Sequence, residues 1–491
     1  MSASRKEATG EFSEGSFWPI MTAIFFGAFL SVLAISSINV AIPVLMNHFQ
    51  AELSTVKWTL TGFMLANGII APVTGYLVDK LSAKYLYILA LVGFTVSCAL
   101  CAVAWSMEAL IVFRLLQGLF SGLILPVTMT IIYQVIPRER QAFASSMWSL
   151  STVLAPALGP TLSGWLIQSL SWQWVFWMNL PFGIAAVVAA WKLLPHYRLS
   201  EPKRFDSSGF ALVITCSSFL LIAFSEIDQW GWGSWKTVGL LVAGMLLLLA
   251  FIWRERNAAE PLLDLSVFSN RRFAMCLVVS SVLGMSLYSG SYLTPVFLQT
   301  IQSASAMEAG LVMLPASIAM AVFIPIAGKL YGRVGPARLV LTGLLLMGIG
   351  TLAMSRLTVD TPHGYVIGWM IVRNIGVALG IVPVSNAGME QIARQMTAHA
   401  SSASNWVRQA SASLAIGLFT SLLSTRLMVH VAEKGPQTPD TGTELQAYTM
   451  AINDVTLLAA LIVFAVLPFL WVLRQRKEPV ILPPDQAFVS K

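Results

Sequence analysis

The sequence predicts an all-α membrane protein made of two related six-helix bundles, with two extra transmembrane helices between them. Three observations carry this expectation. The 491-residue chain is 56% hydrophobic and 11% charged, with a mean hydropathy of +0.74, whereas soluble domains carry roughly 25% charged residues. Lys and Arg collect in alternate connections between apolar runs. The stretch Pro72-Val73-Thr74-Gly75-Tyr76-Leu77-Val78-Asp79-Lys80 returns in outline as Pro325-Ile326-Ala327-Gly328-Lys329-Leu330-Tyr331-Gly332-Arg333, the two leading glycines lying 253 positions apart.

Each apolar run is long enough to cross a hydrocarbon core of roughly 30 Å. Hydropathy and helix breakers place fourteen spans at 17–45, 56–79, 85–105, 108–136, 142–168, 172–194, 208–228, 235–253, 273–299, 306–331, 337–355, 364–388, 399–430 and 450–473. Trp18, Trp58, Trp105, Trp172, Trp235, Trp253 and Trp471 fall near span ends, where interfacial anchors belong. Even-numbered connections carry the bases, among them Lys80, Lys84, Arg138, Arg140, Arg254, Arg256, Arg271, Arg272, Arg333, Arg338 and Arg394; odd-numbered ones carry acids such as Glu52, Glu108, Glu226, Asp228, Glu308 and Asp360. This positive-inside pattern puts both termini in the cytoplasm. It also explains the net charge of +7 as topology, so no nucleic-acid partner is expected.

The repeat extends further. Arg114-Leu-Leu-Gln117-Gly118 up to Pro126 is echoed by Arg373-Asn-Ile-Gly376 up to Pro383, and Ala144-Ser145-Ser146 by Ala400-Ser401-Ser402. The expected organisation is a cytoplasmic segment at 1–16, without the marks of a signal peptide, and a bundle at 17–194. A linker with two extra spans at 195–255, a second bundle at 256–474 and a cytoplasmic tail at 475–491 follow. Duplicated halves rocking about a central site are a common build of secondary transporters.

Motifs for other chemistry are missing. There is no Gly-x-x-x-x-Gly-Lys-[Ser/Thr] phosphate loop and no His-Glu-x-x-His zinc helix, so no enzyme, cofactor or metal is expected. Cys98, Cys101, Cys216 and Cys276 lie in apolar runs and read as small packing residues. His48, His196, His363, His399 and His430 lie near span ends and read as interfacial. A non-transporting receptor or membrane enzyme has nothing to recommend it.

The Gly75–Lys84 stretch reads as a loop in which Gly75 lets backbones approach. Asp79 in it caps a facing helix N-terminus or pairs with a nearby Arg, latching one conformation; Lys80 and Lys84 obey the inside rule. Arg114 lies two turns inside span 4, where a charge must be satisfied. Pro156, Gly159, Pro160 and Gly164 in span 5 favour a bend and close helix contact.

These residues carry a resemblance. Gly75-Tyr-Leu-Val-Asp79-Lys80 with Lys84 resembles the signature loop of the major facilitator superfamily. Arg114-Leu-Leu-Gln117-Gly118 resembles its fourth-span motif, and Gly159-Pro160 with Gly164 its antiporter motif. Trp172-Gln-Trp174-Val-Phe176-Trp-Met-Asn179-Leu-Pro181-Phe-Gly183, Pro261-Leu-Leu-Asp264-Leu and Asn405-Trp-Val-Arg408-Gln409 are similar to the fourteen-span EmrB/QacA-type drug–proton antiporters. The resemblance covers nearly the whole chain. It implies proton-driven export of lipophilic compounds from the inner membrane through a midplane cavity. Gly75, Asp79, Lys80, Arg114 and Gly118 would form the conformational switch.

Two departures stand out. The first span of that branch usually reads Leu-Asp-x-Thr-x-x-Asn-x-Ala-x-Pro, but here Leu33 is followed by Ala34, and Ala34 carries no proton. In the second hairpin, Gly332 stands where Asp79 stands in the first. No acid is expected mid-span in the core helices, and Glu226 and Asp228, closing span 7, are the substitute proton-site candidates. Arg114, Arg373 and Arg408 all fall within the membrane. Either backbone carbonyls, Asn39, Gln117, Gln409 and water satisfy these arginines, or a cavity holding Ser36, Ser37, Asn39, Gln117, Asn405 and Arg408 favours lipophilic anions or neutral compounds over cations. Expected partners are lipophilic small molecules, protons and the lipid bilayer; no periplasmic adaptor is indicated. The alternative cargo is one endogenous amphiphile such as a lipid, fatty acid or antibiotic.

Overall fold

The computed structural model describes residues 17–196, 206–258, 260–433 and 441–473, and every regular segment among them is helical. Helix α1 runs Phe17–Phe49. Helices α2 (Leu53–Ile70) and α3 (Thr74–Leu81) form one span. They are joined by a single 3₁₀ turn at Ala71–Val73, where Pro72 has no N–H to continue the α-helical ladder. Helix α4 is Ala83–Ala102, and α5 is Met107–Val135, N-capped by the Ser106 side chain. Helix α6, Arg138–Ser169, is bent by 41° between Pro156 and Thr161. The sixth span is split into α7 (Trp174–Trp177) and α8 (Asn179–Leu193).

The extra pair is α9 (Ser207–Trp230) and α10 (Trp235–Asn257). A 3₁₀ turn at Leu265–Ser269 leads to α11 (Arg271–Val296), which ends in a π-helical turn, Phe297–Ile301. Then follow α12 (Ala306–Val334), opened by a Ser305/Glu308 capping box, α13 (Pro336–Ala353) and α14 (His363–Met389). Helix α15 is Thr397–Glu433 and α16 is Thr441–Ala465. Thirteen helices among the described residues are long and apolar enough to span a membrane, and bent α6 makes fourteen.

Two sequence expectations need correction. Both hairpin motifs are helical, not loops: α3 continues through Leu81 and α12 through Val334. The chain turns at a single residue in each copy, Ser82 (φ 75°, ψ 153°) and Gly335 (φ 85°, ψ 152°), again 253 positions apart. Glycine accepts this conformation freely, whereas a serine there is strained. Trp172 is no interfacial anchor: it is 4% exposed and packs edge-on against Phe49 and Phe176. Asp454 of α16 accepts from His430 Nε2 at 2.8 Å and pairs with Arg426; its neighbour Asn453 bonds the backbone of Leu357 in the connection after α13, so this acid lies toward the end of the bundle and not mid-span.

Each half has its own core, around Ile24, Tyr87, Phe94 and Ile124 in the first and around Leu283, Leu344, Met347 and Val377 in the second. Tyr87 donates to Ala23 O at 2.8 Å, so even this hydroxyl is satisfied in the dry interior. The extra pair packs on α2 and α15. Helix alternation gathers the basic connections at one end of the molecule, called the basic end below.

Candidate functional site

The side-chain hydrogen bonds that join the two halves among the described residues lie at the basic end. His399, in the first turn of α15, sets its Nε2 3.1 Å from Asp79 Oδ2 of α3; the two side chains are 2% and 5% exposed. The backbone N–H of Asp264 donates to His399 Nδ1 at 3.3 Å. With Nδ1 accepting, the ring proton belongs on Nε2 and is donated to the carboxylate. Tyr133 Oη (2.6 Å) and Ser145 Oγ (2.7 Å) both donate to Asn386 Oδ1 of α14. Gln134 Nε2 donates to Arg394 O at 3.3 Å.

Glycines permit this closure. A Cβ on Gly75 would stand 2.8 Å from His399 Nδ1 and 3.2 Å from its Cα. The repeat-related Gly328 lies as tightly against α6, where a Cβ would stand 2.8 Å from Ala142 O and overlap Ser146. Each half thus sets its hairpin glycine against the start of the other half's fifth helix.

The loop after the extra pair is wired into the same contact. Leu262 and Leu263 are buried beside Val73, Tyr76, Val213 and Phe251. Glu255 Oε2 accepts from Leu263 N at 3.0 Å, and Asp264 caps Ser266. Asp206 receives Arg254 at 3.2 Å. Burial would raise its carboxyl, but hydrogen bonds from Gly209 N–H, Ser208 and Arg254 outweigh that and hold it below the usual range. Trp406 Nε1 donates to Ser217 at 2.9 Å and clips α15 to α9.

Two buried arginines mirror one another. Arg114, with no exposed surface, donates to Thr59 O (2.8 Å), Gln117 Oε1 (2.6 Å) and Ala34 O (3.3 Å). Its guanidinium also lies 4.3 Å from the Phe63 ring centroid and 5.9 Å from that of Phe176, within cation–π range. Arg373, its counterpart in the second half, donates to Ser286 O, to Leu287 O (3.2 Å) and to Asn374. Each fourth-span arginine therefore holds backbone carbonyls of the first span of its own half. Gln117 Nε2 also lies 2.9 Å from Cys98 Sγ, and all four cysteines are unpaired.

A cavity of about 100 Å³ lies between the halves, walled by α5, α6, α11, α14 and α15. Among the described residues Arg408 is its only charged lining residue; serines 145, 149, 280, 281, 385, 401 and 404 and Asn405 supply polar groups around Trp148, Met129 and Phe273. Arg408 is exposed to the cavity and donates to Asn405 Oδ1.

Of the predicted cavity residues, Asn405 and Arg408 line this space. Ser36 does not: its hydroxyl donates to Leu33 O and Ala155 O in the α1–α6 contact that Gly159 opens. Ser37 is buried, and Gln117 belongs to the Arg114 network. The side chains of Asn39, Pro160 and Asp228 lie outside the described residues; Glu226 is half-buried near the end of α9. Gly118 gives α5 its approach to α2, since a Cβ would overlap Phe63 O; Gly164 lies beside Val40. Lys80 lies over the Tyr76 ring. His399, read from sequence as interfacial, is instead at the centre of the contact between the halves.

Residues 24–416 match the profile described as Major Facilitator Superfamily. The chain is 29% identical over 437 residues to an uncharacterised MFS-type transporter, YhcA, of Bacillus subtilis, covering 89% of this chain and 82% of that one. It is 28% identical over 439 residues to the colistin resistance protein EmrB of Acinetobacter baumannii, covering 87% and 84%. The lincomycin resistance protein LmrB of Listeria monocytogenes is 27% identical, covering 83% of this chain and 86% of that one. The structure of the human organic anion transporter MFSD10 superposes with a TM-score of 0.64 at 16% identity, covering 91% and 99% of the two chains, a likeness of fold alone.

Proposed function

The chain belongs to the major facilitator superfamily, and within it we propose a secondary efflux transporter that exports lipophilic or amphiphilic compounds across the cytoplasmic membrane. The observation that carries this reading is the one-ended closure: Asp79, Tyr133, Gln134 and Ser145 of one half bond to His399, Asn386 and Arg394 of the other at the basic end. By the positive-inside rule that end faces the cytoplasm. Alternating access then consists of breaking this lock, opening the cavity inward, and closing it again around cargo. The relatives named for colistin and lincomycin resistance support export as the direction.

Proton coupling is part of the proposal. The usual first-span carboxylate is replaced by Ala34, so protons must use other groups. Asp79 with His399, and His430 with Asp454 and Glu433, are carboxylate–imidazole contacts that the fold places in or between helices. They stand beside Glu226 and Asp228 as proton-site candidates. The test is transport in proteoliposomes under an imposed pH gradient. Substrate-driven proton movement is the expected result; its absence at saturating substrate would leave uniport or another ion.

A second reading concerns cargo. Arg408 is the one charged group lining the cavity, among hydroxyls and apolar walls. That combination suits a lipophilic anion or an uncharged compound better than a cation. Tight, acid-independent binding of a lipophilic dication would refute it.

A further inference from the structure

A larger apolar pocket, about 310 Å³, lies outside the space between the halves. Its walls come from the extra pair and the transport core together: Val213 of α9, Leu248 and Phe251 of α10, Pro72 at the α2–α3 break, Phe268, and Trp406 of α15. The volume is at the lower end of the range for small-molecule sites. One helix wall separates it from the cavity between the halves, for Ala403, Trp406 and Val407 face this pocket while Ser404, Asn405 and Arg408 face the other.

Among the described residues its single charged lining residue is Arg256, at the basic end of α10. Arg254 is committed to Asp206 and Arg272 to Glu390. Arg256 is exposed, with no hydrogen bond or ion pair to any described residue. Trp253, 69% exposed, and Phe268, 36% exposed, flank it, as side chains at headgroup level do. Leu248 lies eight residues back along α10, about 12 Å deeper into the membrane. The pocket is thus a hydrocarbon slot with a cation at its mouth, set at the depth where headgroups meet acyl chains.

We infer that this pocket holds an anionic phospholipid of the leaflet at the basic end, one acyl chain in the slot and the phosphate on Arg256. Neither a cytosolic anion nor an uncharged lipid satisfies both parts, because the slot demands hydrocarbon and the mouth demands negative charge. The lipid would fill the seam between the extra pair and α15. This inference needs only a membrane-spanning chain and does not depend on export.

The test uses the full-length protein, purified and delipidated, with native mass spectrometry of retained lipid. Phosphatidylglycerol and phosphatidylcholine of matched chains are offered to wild type, Arg256→Gln, Leu248→Trp and the remote basic-end control Arg338→Gln. Wild type should retain phosphatidylglycerol in preference. Arg256→Gln should weaken that retention about fivefold with phosphatidylcholine unchanged, Arg338→Gln should match wild type, and Leu248→Trp should lower retention of both lipids. Equal retention of the two lipids by wild type, or an Arg256→Gln variant indistinguishable from Arg338→Gln, overturns the inference. So does Arg256-dependent movement of labelled phosphatidylglycerol across a proteoliposome membrane, which would make the slot a station for cargo rather than the seat of a resident lipid.

Discussion

His399 Nε2 lies 3.1 Å from Asp79 Oδ2, across 320 positions of sequence, and both side chains are buried where the two halves of the molecule meet. A hydrogen bond to a charged group contributes about 1.5–3 kcal/mol, so its loss should shift the gate equilibrium roughly 10- to 100-fold toward the form open at the basic end. His399→Ala and Asp79→Ala are both expected to do this and to impair export. His399→Gln, which keeps an N–H donor, should retain part of the lock. Labelling of a cysteine placed at Ser149 in the cavity, from the basic side of oriented vesicles, reads the shift; unchanged labelling in both alanine variants would remove the pair from the gate.

The repeat gives an internal comparison. Gly75→Ala and Gly328→Ala each drive a methyl group into the opposing helix, at 2.8 Å from His399 Nδ1 and from Ala142 O respectively. Overpacking of this kind costs about 1–3 kcal/mol, here only in the closed form. Both variants should therefore raise cavity labelling while leaving the amount of folded protein near normal. Gly332→Ala meets nothing within 4 Å and should leave labelling and transport unchanged.

The hairpin turn residues differ in strain. Ser82 holds φ 75° and ψ 153°, the conformation that Gly335 adopts in the second copy. Such backbone costs a non-glycine residue about 1–3 kcal/mol. Ser82→Gly should relieve it and raise the melting temperature of the detergent-solubilised protein, whereas Gly335→Ser should lower it.

Much of this was legible in the sequence, and the limits have physical causes. Span number, the extra pair and the two-fold repeat follow from hydropathy and from residues 253 apart, because lipid imposes length and apolarity on every helix. The hairpins were misread as loops because Gly75 and the charges Asp79 and Lys80 resemble turn chemistry. Their helices are held by packing against the other half, α3 on α15 and α12 on α6, which local pattern does not report. His399 escaped notice for the same reason: its role depends on a partner 320 positions away. The only hint was its place beside Ala400-Ser401-Ser402, the echo of Ala144-Ser145-Ser146. Ser36 and Gln117 were assigned to a cavity because they are polar and mid-membrane, but each is used up in helix–helix contact.

Arg408 is the residue on which cargo preference should turn. As the one charged group lining the cavity between the halves, it would be worth about 1.5–3 kcal/mol to a hydrogen-bonded anionic cargo. Arg408→Gln should raise the concentration for half-maximal transport of a lipophilic anion at least tenfold, with less effect on a neutral analogue. Arg408→Glu should reverse the preference toward a lipophilic cation. Uptake into inverted membrane vesicles measures all three, and equal losses for anion and neutral cargo would mean that Arg408 is structural.

The last prediction concerns the missing carboxylate. Arg114 Nη2 donates to the backbone oxygen of Ala34 at 3.3 Å, so the residue that replaces the acid lies beside a buried guanidinium. Arg114 is held by carbonyls, Gln117 and two aromatic rings, and no carboxylate among the described residues bonds to it. An acid introduced at position 34 would be buried, and a buried charge is tolerated only with a partner. Arg114 is within reach to supply one. Ala34→Asp should therefore fold, and should give the transporter a new protonatable group between α1 and α5. Its pH–rate profile should change, and export of a lipophilic cation should appear or increase under an imposed pH gradient. In an Arg114→Gln background the same aspartate loses its partner, so the double variant should be less stable than either single one, by about 3 kcal/mol or more. A pH profile and cation export identical to wild type in well-folded Ala34→Asp would show that proton movement does not pass through this part of the first span, leaving the Asp79–His399 and Asp454–His430 pairs to account for it.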